Sequence, residues 1–348
     1  MTAATDKTAD RPAGPLHIGP VALENRVILA PMSGVTDAPF RRQVARLGAG
    51  LVVSEMTACA ALVEGNPVAA LRLEGHGVGT HVVQIAGCEP RWMAEGARIA
   101  ADAGAQVIDI NMGCPARHVT NGQSGSALMR DLDHAVRLID ATVGAVDLPV
   151  TLKMRLGWDD KTLNAPELAR RAQDSGVRLV TVHGRTRCQF YTGTADWAKV
   201  RAVRQAIDIP LVVNGDIKSF DDADRALERS GADAVMVGRG IQGRPWFLGQ
   251  LAHYLATGER LADPPLSRQL ELLRELYEDM LRLHGREVGA RHARKHLGWG
   301  LDVAARAAAV APEVLKSWRS RILTTLDPAA ALRDLAESFE SFAWKAAA

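Results

Sequence analysis

Short, apolar, β-branched runs recur along most of the chain. They begin as RVILAPMSG at 26, GLVVSEM at 50, THVVQIAG at 80 and QVIDINMG at 106, and continue as LPVTLKMRLG at 148, RLVTVHGRT at 178, IPLVVNGDI at 209 and ADAVMVGRG at 232. They are nearly continuous rather than alternating, the pattern of parallel strands covered on both faces. Between them lie amphipathic stretches with helix-end signals. DAPFRRQVARLGAG sets Phe40, Val44 and Leu47 on one face and stops at Gly48, EPRWMAEGARIAADAG opens on Pro90 and ends at Gly104, and SFDDADRALERSG offers Ser219 as N-cap and Gly231 as terminator. Proline early and glycine late is the expected asymmetry of helix ends. Eight strand–helix units in tandem predict an α/β fold, a closed (β/α)8 TIM barrel, over a doubly wound sheet.

Past the Pro-Pro pair at 264–265 the strand pattern stops and helical spacing takes over: Leu270, Leu273, Tyr277 and Met280 share a face. Three more helices are expected near 287–309, 312–325 and 328–343, a small all-α bundle. The domains so predicted are a leader over 1–17, without an apolar core and read as disordered, a barrel over 18–255 and a helical domain over 256–348. Trp299, Trp318 and Trp344 are expected in the bundle core.

Composition narrows the classes. With 348 residues, 47% hydrophobic and 24% charged, the chain has apolar surface for a sizeable core. A formal net charge of +2 means that an anionic partner must be met by a local basic patch. No run approaches the ~20 apolar residues of a membrane span. Four cysteines without a CxxC pair argue against a disulfide framework or zinc site and fit reduced thiols in the cytoplasm. His292 and His296 share a helix face, but Ala293 stands where a zinc-protease helix needs Glu, so no metal is expected.

Polar residues collect where the strands end, the rim at which barrels carry chemistry. Pro31, Met32 and Ser33 follow the first strand, and Gln84, Asn111, Cys114, Lys153, Arg155, His183 and Arg185 the next ones. Asn214, Gly215, Asp216, Gly238 and Arg239 follow the last two. A lysine inside an apolar strand needs a partner, which makes Lys153 a cation awaiting an anionic ligand. The glycines of NGDIKS and VGRGIQGRP suit a phosphate between the last two loops, and no GxGxxG follows the first strand, so a Rossmann site is not indicated. A phosphate site with a lysine aimed at a delocalised anion points to flavin mononucleotide. Cys114, flanked by Gly113 and Pro115, has no local His to make it a nucleophile and is read as a general acid. Cys59, Cys88 and Cys188 are read as packing residues. Arg291, Arg294 and Lys295 form a basic helical face, with Arg282 and Arg286 before it.

Seven motifs in order, APMSGVTD, VVQIAG, DINMGCP, TLKMRLGW, VHGRTR, VVNGDI and MVGRGIQGRPW, followed by ARKHLGW, resemble the dihydrouridine synthase family over about residues 20 to 340, and its bacterial B-type branch in particular. The resemblance implies an FMN enzyme that reduces uridine in tRNA to 5,6-dihydrouridine with NADPH, or NADH, as reductant. It implies that Pro31, Met32, Ser33, Gln84, Lys153, His183, Asn214, Gly215, Asp216, Gly238 and Arg239 hold FMN and that Cys114 is the general acid. Asn111, Arg185, Arg291, Arg294 and Lys295 are then expected to face the RNA. Ser33 and Gly300 depart from the family's commoner Ala and aromatic. Two rival readings are an FMN barrel acting on a free small molecule, in the manner of dihydroorotate dehydrogenase, and a non-catalytic RNA-binding regulator. Oligomeric state is left open, a monomer being compatible.

Overall fold

A computed structural model describes residues 15–347. Eleven strands are present among them: β1 (Leu16–Ile18), β2 (Val21–Leu23), β3 (Val27–Leu29), β4 (Leu51–Val53), β5 (Thr57–Ala58), β6 (His81–Ala86), β7 (Val107–Met112), β8 (Val150–Arg155), β9 (Leu179–His183), β10 (Leu211–Asn214) and β11 (Ala234–Val237). Strands β3, β4 and β6–β11 are parallel neighbours in sequence order, and β11 pairs back onto β3 through Val235↔Val27, which closes the barrel. All eight strands expected from the apolar runs are these eight. The two-residue β5 prolongs the β4 side by pairing Thr57 with Ile85 of β6.

The period of two along each strand divides two environments. Val83, Ile85, Ile108, Ile110, Leu152, Met154, Val180 and Val182 pack outward against the helices. Inward-facing Val82, Val107, Leu179, Val212 and Ala234 form a separate cluster with Leu16, Ile18 and Leu23. The antiparallel β1–β2 hairpin therefore seals the amino end of the barrel. This corrects the leader expected over 1–17: residues 1–14 lie outside the described residues, and Leu16 already belongs to a strand. Higher along the same inward faces stand Asp109, Asn111, Thr151, Lys153, Thr181 and His183, in register across neighbouring strands. The inside is apolar at the bottom and polar toward the carboxyl ends.

Helix ends follow the sequence signals. Asp37 caps Ala38–Arg46 by accepting from the Phe40 N–H at 3.2 Å, and Ser219 caps Phe220–Ser230, which Gly231 closes at φ +67°. Such caps contribute about 1 kcal/mol each. The helix Phe247–Thr257 runs across the expected domain boundary at 255, and four helices follow it: Leu266–His284, Arg286–Ala307, Pro312–Thr324 and Pro328–Ala347. Leu273, Leu276, Tyr277, Met280 and Leu297 join the same apolar cluster as the barrel's outer layer, so the helical region shares one core with the barrel. Gly300 lies where a Cβ would come 2.5 Å from the Leu273 side chain. The departure from an aromatic there lets the first two of these helices pack closely. Trp344, expected in the core, is 79% exposed.

His296 sits in the seam, its ring 4.6 Å from that of Phe40 and edge-on to Trp299 at 5.3 Å. Burial pulls its pKa down to about 4. Between pH 6.5 and 4 the unfolded chain binds a proton that the folded chain does not, so stability falls as pH drops through 6.5. This group alone is expected to remove on the order of 2 kcal/mol by pH 5. Urea melts at pH 7 and 5 check it: His296→Gln should lack that share of the acid loss.

Candidate active site

A cavity of about 370 Å³ opens at the carboxyl ends of the barrel strands, within the usual range for small-molecule sites. Residues expected at the rim from sequence line it together: Pro31, Met32 and Ser33 after β3, Gln84 on β6, Asn111 and Cys114 from β7, Lys153 on β8 and His183 on β9. Asn214, Gly215 and Asp216 after β10, with Gly238 and Arg239 after β11, complete the ring. Strand register does the positioning, since Asn111 pairs with Lys153, Arg155 with His183, and His183 with Asn214.

Beneath the rim runs a chain of side-chain hydrogen bonds. The buried Asp109 accepts from Thr151 Oγ1 at 2.6 Å and from Gln84 Nε2 at 2.6 Å. Gln84 Oε1 then accepts from Asn111 Nδ2 at 2.7 Å, which turns Asn111 Oδ1 toward the next loop. There it accepts the Gly113 and Cys114 N–H groups at 3.1 and 2.9 Å. Ser126 grips the other side of Cys114, donating from its N–H and hydroxyl to the Cys114 carbonyl at 3.1 and 2.8 Å. Gly125 makes that approach possible: it has φ +59°, and a Cβ would lie 2.9 Å from the Cys114 carbonyl oxygen. The thiol is thus carried by a backbone held from two directions, at the cavity wall.

Facing it is a cationic wall. Lys153 Nζ donates to Asn214 Oδ1 at 3.2 Å, and Asn214 is itself oriented by donating Nδ2 to the Met236 carbonyl at 2.8 Å. Burial, reinforced by Arg155, pulls the Lys153 ammonium down to about 8, so it stays charged at neutral pH. His183 is held well below the ordinary histidine range by burial and by the surrounding Arg155, Lys153, Arg185 and Arg239. It is therefore a neutral imidazole, and its buried Nδ1 has no protein partner. An unpaired buried nitrogen costs roughly 1–3 kcal/mol, which a ligand group would relieve.

Arg185 does not reach the cavity. It is 1% exposed and donates to the Thr192 and Gly193 carbonyls at 3.1 and 2.6 Å and to Asp216 Oδ2 at 2.5 Å. Where it was expected to face RNA, its Nε and Nη2 instead tie the loop after β9 to the loop after β10, while its Nη1 is buried without a protein partner. Burial alone would raise the Asp216 carboxyl, but the Arg185 hydrogen bond and the Ala195 N–H outweigh it and hold it below the usual carboxylate range. Asp216 is also within 3.6 Å of Arg239. The loops after β10 and β11 touch at Gly240, where the Ile217 carbonyl leaves no room for a Cβ.

The sequence reading missed two contributors. Tyr191, 54% exposed, stands at the mouth with the Arg239 guanidinium 4.9 Å from its ring centre and that of Arg155 at 5.6 Å. Its only signal was an aromatic in the Thr- and Gly-rich segment after VHGRTR. Arg155 was seen at the strand end but given no role. It ties the loop after β7 to the loop after β9 by donating to the carbonyls of Gly113, Thr186 and Phe190 at 2.8, 2.8 and 2.9 Å.

The basic face expected on the helix Arg286–Ala307 is largely occupied. Lys295 donates to the Gly34 carbonyl, Arg294 turns to the Thr325 carbonyl at 3.4 Å, and only Arg291 of the three is exposed. Arg282 pairs with Asp279 and Arg286 with Asp327. Asp37, His284 and His292 place three metal-competent atoms within 4.8 Å of one another. However, His284 Nε2 donates to Asp37 Oδ2 at 2.9 Å, Arg41 bears on Asp37, and Lys295 bears on His292. A divalent ion would meet two cations there, so the trio acts as a clasp between barrel and helices. Among the other thiols, Cys59 is buried, with burial pushing it up to about 12, while Cys188 is exposed and not a packing residue.

Comparison with known proteins places this arrangement. The profile described as Dihydrouridine synthase (Dus) matches residues 28–338. A probable tRNA-dihydrouridine synthase of Rhizobium leguminosarum bv. phaseoli is 54% identical, covering 88% of this chain and 93% of that one. One of Rhodobacter capsulatus is 52% identical, over 93% and 98%. The tRNA-dihydrouridine synthase B of Xanthomonas campestris pv. campestris is 51% identical, over 82% and 86%. Among solved structures, an old yellow enzyme homologue from Zymomonas mobilis superposes with a TM-score of 0.51 at 17% identity, over 73% of this chain and 95% of that one, a likeness of fold. With its barrel, its rim cysteine and this match over most of its length, the chain belongs to the dihydrouridine synthase family.

Proposed function

We propose that this protein reduces the C5=C6 bond of uridine in tRNA to 5,6-dihydrouridine in the cytoplasm, with FMN in the rim cavity and NADPH as reductant. The observation that carries the reading is the convergence in one cavity of a backbone-pinned thiol, a lysine with ammonium donors left over and a neutral histidine with an orphaned nitrogen. These groups fit a flavin. Lys153 would sit against its electron-rich edge, Gln84 and Asn214 offer amides to the ring, and Gly215, Gly238 and Arg239 suit the phosphate. Bound there, FMN would supply a two-electron carrier that accepts hydride from NADPH and passes it to uracil C6.

The chain's own share is the proton. As hydride arrives at C6, the electron pair of C5=C6 moves to C5 and its C4 carbonyl; the Cys114 thiol gives its proton to C5 and is reprotonated from solvent. A general acid so placed contributes typically 10²–10⁴-fold. The target base must leave its stack to reach the cavity, at a cost of a few kcal/mol, which RNA contacts on the helical region offset. Arg291 is the exposed cation of that face. Arg291→Ala is expected to weaken tRNA binding and reduce the slope of log affinity against log salt by about one contact; filter binding across salt concentrations checks it. The reading as a whole is tested by mass spectrometry of tRNA from cells with and without the gene, and by whether the purified protein is yellow and bleaches with NADPH. Dihydrouridine unchanged by deletion would overturn it.

A further inference from the structure

The segment Pro31–Thr36 has two faces. Pro31, Met32, Ser33 and Val35 line the cavity. The turn closes on itself: the Val35 and Thr36 N–H groups donate to the Met32 carbonyl at 2.9 and 3.0 Å, and the Met32 N–H donates to Thr36 Oγ1 at 2.9 Å. Gly34, at φ +74°, is absent from the lining and is gripped by two charged groups instead. Its N–H donates to the Glu55 carboxylate, which comes from the barrel wall and is 9% exposed. Its carbonyl accepts from Lys295, which comes from the helical region. A Cβ on residue 34 would stand 3.4 Å from that ammonium.

We propose that Lys295 is a positioning residue for the cofactor: it holds the Gly34 carbonyl, and through this rigid turn it sets the wall of the cavity formed by Pro31, Met32 and Ser33. This deepens the flavin reading and rests on it. A lysine serving RNA phosphate would extend into solvent, whereas this one is half-buried and folded back onto the barrel. Its neighbours support a seam built to fix that turn. His284 holds Asp37, the next residue after the turn, and the His296 ring packs on Phe40. A charge-assisted hydrogen bond to a backbone carbonyl is among the stronger ways to immobilise a loop. Glu55 and Lys295 grip the two successive peptide groups that flank the Gly34 Cα, so both of its backbone dihedrals are held.

The test uses the purified full chain, stripped of flavin and titrated with FMN by fluorescence quenching, alongside tRNA binding as a function of salt. Lys295→Met keeps side-chain length and helix propensity but removes the donor. The expected result is FMN affinity lowered about tenfold or more, as for loss of one charged hydrogen bond, with the salt slope of tRNA binding unchanged. Lys295→Arg, which keeps a donor, should recover most of the FMN affinity. FMN affinity within twofold of wild type in Lys295→Met overturns the proposal, most directly if the salt slope falls by about one. A loss not recovered by Lys295→Arg, accompanied by a lowered melting temperature in both variants, also counts against it. Wild-type protein that takes up no FMN would instead refute the flavin reading itself.

Discussion

Cys114→Ala protein is expected to take up FMN and to be bleached by NADPH as wild type is, while reducing tRNA uridine about 10²- to 10⁴-fold more slowly. The separation of the two half-reactions is the point of the experiment. The Cys114 backbone is held by Asn111 Oδ1 on one side and Ser126 on the other, so deleting the sulfur leaves the loop and the flavin-facing groups in place. In the proposed mechanism the thiol takes no part in the reduction by NADPH and acts only in protonating C5 afterwards. Rapid-mixing spectroscopy of flavin reduction, followed by single-turnover reoxidation with tRNA, resolves the steps. Reoxidation at the wild-type rate would remove the thiol from the mechanism.

Lys153→Met should be the most damaging change to cofactor binding. One ammonium is held by a single neutral acceptor, Asn214, in a wall that already contains Arg155. A buried cation in that state is favoured only if an anionic or electron-rich group answers it. Loss of a hydrogen bond between charged or polarised groups is worth roughly 1.5–3 kcal/mol, so FMN affinity is expected to fall about ten- to a hundredfold. The wild type carries its own control. Its free Lys153 loses its charge as pH rises through about 8, so FMN association should weaken above pH 8 in wild type and stay flat in Lys153→Met. Equal pH profiles would show that another group meets the ring.

Much of the site was legible because barrel geometry converts linear position into place. Any polar residue at the carboxyl end of an apolar run arrives at the same rim, so Gln84, Asn111, Lys153, His183 and Asn214 can be gathered from the sequence alone. Helix ends were legible for a local reason: Ser219 and Gly231 act within one turn of the chain. The partners of Arg185 and Lys295 were not legible for the opposite reason. Each is a cation in a promising motif, but its partner lies far away in sequence, Asp216 for the first and Gly34 for the second. Nothing local distinguishes a guanidinium that ties two loops together from one that waits for a phosphate. The relay from Asp109 through Gln84 to Asn111 escaped notice because each residue alone looks like an ordinary polar interruption of a strand.

What the chain by itself determined was the count and order of the eight barrel strands, the closure they imply, the caps of the helices and the presence of a thiol among rim residues. These follow from periodicity and from interactions a few residues long. Only the folded molecule decided that β1 and β2 plug the barrel's floor, that Tyr191 stands at its mouth, and which cations are free. Those outcomes depend on contacts between distant segments, where burial and competition for a few carbonyls and carboxylates choose the partner. Seen in the sequence alone, Arg291 and Lys295 are equivalent; in the fold one faces water and the other donates to the Gly34 carbonyl.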